Sequence, residues 1–573
     1  MQYKKIGFII LAILALGTAA ISEPVVKDVA DGVTLYQDIT TQPEPHITNV
    51  VKVDLANPAV HVKAAIGKDV VMDTSPNKGR EIVSSITARK GAVVGINADF
   101  FPFTGDPNGI CISDGELISE PAKGRAAFGI LRDGHAVFDI PSFDATLTFS
   151  SGVSRQIDGI NRARETNQLV VYTPTYGEST LSKYKGTDVV ATTDELPVRA
   201  GCTLNLTVTE IKTDALDTKI PKNGVVLSAG GPAASFLASN VAVGDKLRIV
   251  FNIKSACGVD WMQVDQAVGG GPWLVKDGNV YLDYRAEDFK PDFARTTHPR
   301  TAIGVTADNK LLLVTVDGRQ SLSTGLPLQK LAEAMKILGA CQAINLDGGG
   351  STTLSIRGTV VNSPSGGAVA GNPYEGSERS VADMLLVNVD KKTAPPELLK
   401  LKISGIGKEI TSGEKTQLYL TWGDDDQMLT EEQLSRVVWG STKGIGFIDQ
   451  KGFFNPIRMR TGTIDAFYGS QKASIPVMVV GGPPAKIDVA AVNDKLDPRR
   501  TKVKITVSDL NGNFLANIDL ALTVTGGIAS SSAGKTDNNG TYSTDVVWDI
   551  TEKRIIKAAV GDLTSEISVP NGN

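Results

Sequence analysis

From about Val33 to Val389, short apolar runs alternate with glycine-rich turns, and this punctuation leaves no room for a fold of long helices. Each run has the length of a strand rather than a helix. The candidates are Val60–Ile66, Val93–Ile96, Ala127–Leu131, Val225–Leu227, Lys246–Phe251, Thr301–Val305, Leu311–Val316 and Ala343–Leu346. A glycine count of 58 and an aromatic share of only 6% fit the same reading. Apolar residues recur at helical spacing in two places, Glu81–Arg89 and Leu328–Leu338. The second has Pro327 ahead of its first turn and Gly339 beyond its last, a usual start and stop. It is expected to pack on a sheet. The architecture expected for this region is a mixed α+β domain.

Past Asp390 the texture changes. Lys391–Pro396 reads as a linker, and Gly481-Gly482-Pro483-Pro484 as another. Strand-length runs such as Gln417–Thr421, Arg436–Trp439, Ile475–Val480 and Thr501–Val507 are separated by turn signals, including Asn511-Gly512 and Asn539-Gly540. The expected layout is a leader over 1–22, a catalytic region over 23–390, and two β-sandwich modules over 395–480 and 484–573.

The leader reading rests on Lys4 and Lys5, an apolar run from Ile6 to Leu16, and small residues after it. That order is the pattern of a secretory signal peptide, so the chain is expected to be secreted or held in a cell envelope. A net charge of −5 supplies no attraction for nucleic acid. Cys111, Cys202, Cys257 and Cys341 are widely spaced with no nearby histidine, which argues against a zinc site and leaves disulfides or thiols open. With four histidines in all, a Ser-His-Asp centre is poorly supplied.

Chemistry concentrates where apolar runs end. In Ala343-Ile344-Asn345-Leu346-Asp347-Gly348-Gly349-Gly350-Ser351, an expected strand delivers a carboxylate to three glycines. Glycines let a ligand approach the main chain, and successive backbone N–H groups can cradle an anion. Similar glycine runs follow Leu227 and Val268, and at least two of the three are expected to converge. Further polar groups follow strand-like runs: Asn97 and Asp99, Arg300, Asp317, and Arg379. Paired carboxylates can act at a sugar C1, and the arginine fork suits phosphate. There is no P-loop, no His-Glu-x-x-His and no nucleophile elbow.

Together the segments Gly95–Phe101, Gly109-Ile110, Asp114–Leu117, Pro299–Gly304, Val316–Arg319, Asn345–Ser351, Val361-Asn362 and Arg379–Val381 resemble the phosphodiester glycosidase family. The resemblance implies hydrolysis of a sugar-1-phosphodiester, such as an α-N-acetylglucosaminyl phosphodiester, at its anomeric bond. It implies Asp347, Asp317 and Asn97 as catalytic residues. It implies Arg300, Arg379, Asp99, Gly348, Gly349, Gly350 and Ser351 as substrate contacts. Whether a divalent cation, calcium or magnesium, joins the carboxylates stays open, since no standard loop for one is present. The last segment resembles bacterial Ig-like modules, which implies surface or glycan contact for the tail. A non-catalytic carbohydrate-binding or adhesion protein is the alternative reading.

Overall fold

The computed structural model describes residues 23–102, 104–366, 377–390, 400–549 and 553–570. The expected leader and the first expected linker fall outside these. The chain divides into two compact units. The first comprises residues up to Lys400 together with Met428–Gly440 and Ala466–Lys472. The second comprises Leu401–Gln427, Ser441–Asp465 and the chain from Ala473 onward.

The first unit is built on sheets. An eight-stranded sheet includes His46–Asp54, Lys310–Val316, Arg300–Thr306, Ala340–Asn345 and Trp273–Lys276 as neighbours in that order. Arg300 pairs with Val316, and Ala302 with Asn345. Arg300–Thr306 runs antiparallel to both of its neighbours, so its first residue lies at the same sheet end as the last residues of the other two.

Continuous apolar runs such as Leu311-Leu312-Leu313-Val314 follow from burial on both faces. Leu311, Leu313, Ile303 and Ile344 join one core, while Leu312, Val314, Ala302 and Ala343 join another beneath the helix Leu328–Ile337. That helix presents Leu328, Leu331 and Met335 to the sheet and stops at Gly339, whose φ of +88° suits glycine.

A second group of strands runs Val60–Ile66, Asp383–Val389, Val94–Asn97, Leu354–Ile356, Thr359–Val360. Asn97 pairs with Met384 and Leu354 with Ile96. This places Asn97, Asp383 and Leu354 at one sheet end. Val94, Ile96, Leu385 and Val387 face the same core as Ile303 and Ile344, so the two sheets share it. On the outer face Met384 and Leu386 pack on Val83 and Ile86 of the helix Val83–Arg89.

The expectation of a mixed α+β region needs correcting, because the unit is β-dominated. Its two expected helices form, but with seven and ten residues, and the remaining described helices reach at most ten. They cover sheet faces and build no layer of their own. Every expected strand of this region forms to within a few residues of its expected ends.

In the second unit, two four-stranded antiparallel sheets share a core of Ile505, Val507, Leu522, Trp548, Ile556 and Ala558. Trp548 donates from its ring nitrogen to Thr501 Oγ1 at 2.6 Å. The four cysteines are thiols, with Cys111 fully buried. Among the described residues, no helix is long and apolar enough to cross a membrane.

Candidate active site

The ends of the two sheets are stitched together by one buried amide. Asn97 closes the strand Val94–Asn97 with no solvent exposure. Its Nδ2 donates to the carbonyl of Asp347 at 2.6 Å. Its Oδ1 accepts from Thr301 Oγ1 and from the Thr353 backbone, both at 3.0 Å. The Asp347 N–H in turn donates to the Ala98 carbonyl at 2.8 Å. Every polar atom of the Asn97 amide therefore holds backbone or a neighbouring strand, and it fixes where Asp347 stands.

Three aspartates meet there: Asp347, Asp99 and Asp383. Asp99 accepts from the N–H of Phe100 at 2.7 Å and of Gly109 at 2.6 Å, and its own N–H donates to Asp383 Oδ1 at 2.9 Å. Burial pushes Asp99 up to about 7, against the pull of those N–H groups and of Arg125, and with a push from Asp347. Asp383 is pushed well above the carboxylate range by burial and by the charges of Asp99 and Asp347. Asp347 rises to about 6 by burial, while the Ser351 hydroxyl and the Arg379 and Arg319 guanidinium charges pull it back. Asp347 alone of the three keeps part of its surface open to solvent.

The glycine triplet bends a 3₁₀ turn over this acid. Gly349 has φ +60°, and its N–H donates to the Pro299 carbonyl at 2.8 Å. The Ser351 and Thr352 N–H groups are also spent inside the turn, on the carbonyls of Gly348 and Gly349. What the glycines make room for is arginine. A Cβ at Gly349 would stand 3.0 Å from Arg319 Nη2, and one at Gly350 2.5 Å from Arg379 Nη2. Arg379 is exposed and lies 3.4 Å from the Ser351 hydroxyl. Two of the three glycine runs come together here: Gly271 donates to the Asn345 carbonyl at 2.7 Å, and Gly269 packs on Asp99. The third, Gly230-Gly231, sits against Arg164 and Asn167 elsewhere.

Arg300 and Asp317 reach the same sheet end but are tied up. The Arg300 guanidinium donates to the carbonyls of Leu326, Phe293 and Thr296 at 2.7 to 2.9 Å and stacks 5.1 Å over Phe293. It is 1% exposed, and burial together with the Arg319 charge pushes it down to about 9. Asp317 accepts from Asn362 Nδ2 at 2.7 Å and the Ser363 N–H at 2.8 Å, and burial lifts it to about 7. His298 contacts Thr296 and Arg319.

Three participants were overlooked in the sequence. Asp383 opens the strand Asp383–Val389 as a mirror image of Asn97, which closes its strand, and an acid leading the apolar run Met384-Leu385-Leu386-Val387 is the available signal. Arg319 stood beside Asp317 in a glycine-bearing turn. Phe100 carries an aromatic group with Phe289 and Phe293, ring centres 5.5 and 5.8 Å away, and Arg125 lies 4.3 Å over Phe289. Among the described residues, no three His, Cys, Asp or Glu side chains are placed to hold one metal ion.

Residues 200–388 match the family described as phosphodiester glycosidase. The match takes in Arg300, Asp317, Asp347, Arg379 and Asp383, while Asn97 and Asp99 precede it. The chain is 34% identical over 110 residues to mouse N-acetylglucosamine-1-phosphodiester alpha-N-acetylglucosaminidase, covering 18% of this chain and 21% of that one. It is 33% identical over 126 residues to the Bacillus subtilis SPbeta prophage-derived uncharacterized protein YomE, over 21% of this chain and 16% of that one. The alignments thus span about a fifth of these relatives. A solved hypothetical protein from Synechocystis shares the fold, with a TM-score of 0.54 at 22% identity, covering 65% of this chain and 64% of that chain.

Proposed function

We propose, for a chain whose residues 200–388 match the phosphodiester glycosidase family, that it hydrolyses the anomeric C–O bond of a sugar-1-phosphodiester. The observation that carries this reading is the pairing of Asp347, a residue less buried than its two acidic neighbours, with two guanidinium groups laid along the glycine triplet. Arginine forks bind the non-bridging phosphate oxygens, and the carboxylate faces the carbon to which phosphate is attached.

The leaving group decides what Asp347 does. A phosphomonoester takes its last proton with a pKa of about 6, so it departs without much help from an acid. An alkoxide leaving group, by contrast, demands a proton donor. Asp347 therefore works as a carboxylate. The C1–O bond breaks with its electron pair going to the phosphate oxygen. Water supplies the oxygen that joins C1, and its proton passes to Asp347 and on to solvent or product. Direct attack by Asp347 on C1 would give the same products through a covalent sugar ester, and the anomer first released separates the two routes. Arg379 and Arg319 take the phosphate in this scheme, and Arg300 with Asp317 braces the strand ends.

The substrate class follows the mouse relative's printed activity on an N-acetylglucosamine phosphodiester. An envelope or extracellular glycan is the proposed setting, supported by the basic, apolar and small residues that begin the chain. The test is to incubate the full chain with a panel of α-glycosyl phosphodiesters and follow free sugar and phosphomonoester. Release of both in equal amounts is expected. Release of neither, with glycan binding retained, replaces the enzyme with a carbohydrate-binding protein.

A further inference from the structure

Asp99 and Asp383 have no task in the scheme above, yet they lie directly behind Asp347. Asp383 has no solvent exposure, and Asp99 is 2% exposed. One backbone link joins them, from the Asp99 N–H to Asp383 Oδ1, and the Ala98 N–H donates to the Asp383 carbonyl. Asp383 Oδ2 is enclosed and has no hydrogen-bond partner among the described residues. An ionised carboxylate with an orphan oxygen in such a place carries a large desolvation cost, and a second ionised carboxylate beside it adds repulsion. Protonation removes the charge and the repulsion, leaving the smaller cost of an unpaired neutral oxygen.

We propose that Asp383 keeps its proton through neutral pH and that Asp99 gives up its own only as the solution turns alkaline, the two acting as a positioning pair, so that the floor beneath Asp347 is uncharged when an anionic phosphodiester enters. This rests on the phosphodiester reading. The charged and titratable groups around the pair are Asp347, the Cys111 thiol, Arg125 beside Asp99, and Arg319 with Arg379 across Asp347. Burial and like charge raise both members of the pair, Asp383 the more strongly, while Asp347, pulled back by Ser351 and the arginines, rises only to about 6. Once the pair loses its first proton, a second negative charge arrives next to Asp347, and it opposes the phosphodiester anion.

Two readouts on the full chain test this. The first is infrared spectroscopy of protonated carboxyl groups, which needs no turnover. At pH 6.5 the wild-type spectrum minus that of Asp383→Asn is expected to contain one protonated carboxyl, and it persists when both are taken to higher pH. Asp383→Asn keeps the Oδ1 acceptor for the Asp99 N–H, so this variant retains the local link. No such difference overturns the proposal.

The second is steady-state kinetics with α-N-acetylglucosaminyl methyl phosphate. Wild-type KM is expected to rise on the order of tenfold between pH 6.5 and 8.5 as one charge is added, with kcat far less affected. In Asp99→Asn the rise moves to higher pH, because Asp383 is then the remaining acid. A flat wild-type KM across that range, in an active enzyme, also overturns the proposal. A chain that hydrolyses nothing in the panel overturns the functional reading instead, and the infrared difference still decides the protonation.

Discussion

Two aspartates of this protein, Asp317 and Asp347, follow apolar strands, precede glycine, and lie at the same end of one sheet, on either side of Arg300. Burial raises both, to about 7 and about 6. Asp317 is 1% exposed and spends both oxygens on Asn362 and Ser363. Asp347 stays partly open and faces Arg319 and Arg379. Under the proposed function the same local sequence signal serves a brace in one corner and a reactive group in the other. The difference lies in the neighbours: a returning loop supplies donors to Asp317, whereas the Asn97 amide takes the Asp347 carbonyl and the Asp347 side chain meets the Ser351 hydroxyl and two arginine charges.

The largest expected effect that tests this contrast is Asp347→Asn. It is expected to lower kcat by about 10²- to 10⁴-fold, the span of a lost general base, with the melting temperature nearly unchanged. Asp317→Asn should do the reverse. It strands one of two buried donors, so stability falls by about 1–3 kcal/mol while kcat stays within roughly tenfold. If Asp317→Asn proves as inactive as Asp347→Asn and melts normally, the contrast is broken.

The arginines sharpen the same point. Arg379→Ala and Arg319→Ala are expected to raise KM by about ten- to a hundredfold, through the loss of charge-assisted bonds to phosphate worth about 1.5–3 kcal/mol each. Arg300→Ala leaves three backbone carbonyls without their donor. Its main expected result is a lower melting temperature, and thermal melts beside KM measurements distinguish the two classes.

The smallest effect is on the pH dependence of stability. A carboxyl group raised from 3.8 to about 7 stabilises the fold fully below pH 3.8, and this contribution is lost as pH climbs to about 7. Urea melts of the wild type should therefore show stability declining between pH 4 and 7 from these groups. Asp317→Asn is expected to flatten part of that slope. Activity runs the other way at its acid limb, rising through about pH 6 as Asp347 ionises.

Much of this protein was legible in its sequence. Strands such as Val60–Ile66 and Ala127–Leu131 were readable to the residue, because runs of apolar side chains closed by turn residues leave little choice of local structure. The helix Leu328–Ile337 was equally clear from its apolar spacing and its Gly339 stop. The proportion of helix was harder to judge, since helical spacing over a few turns says nothing of how many sheets surround it.

The sequence by itself determined which side chains arrive at strand ends: Asn97, Arg300, Asp317, Asp347 and the glycine triplet. Strand period and glycine conformational freedom are local properties, and they need no partner to be read. Only the tertiary structure decided which of those side chains are spent. Whether a carboxylate reacts or braces depends on donors more than forty residues away, as with Asn362 for Asp317, or on an acid from another sheet, as with Asp383 behind Asp347. Desolvation and hydrogen-bond satisfaction are set by what folds over a group, and a strand end carries no record of that.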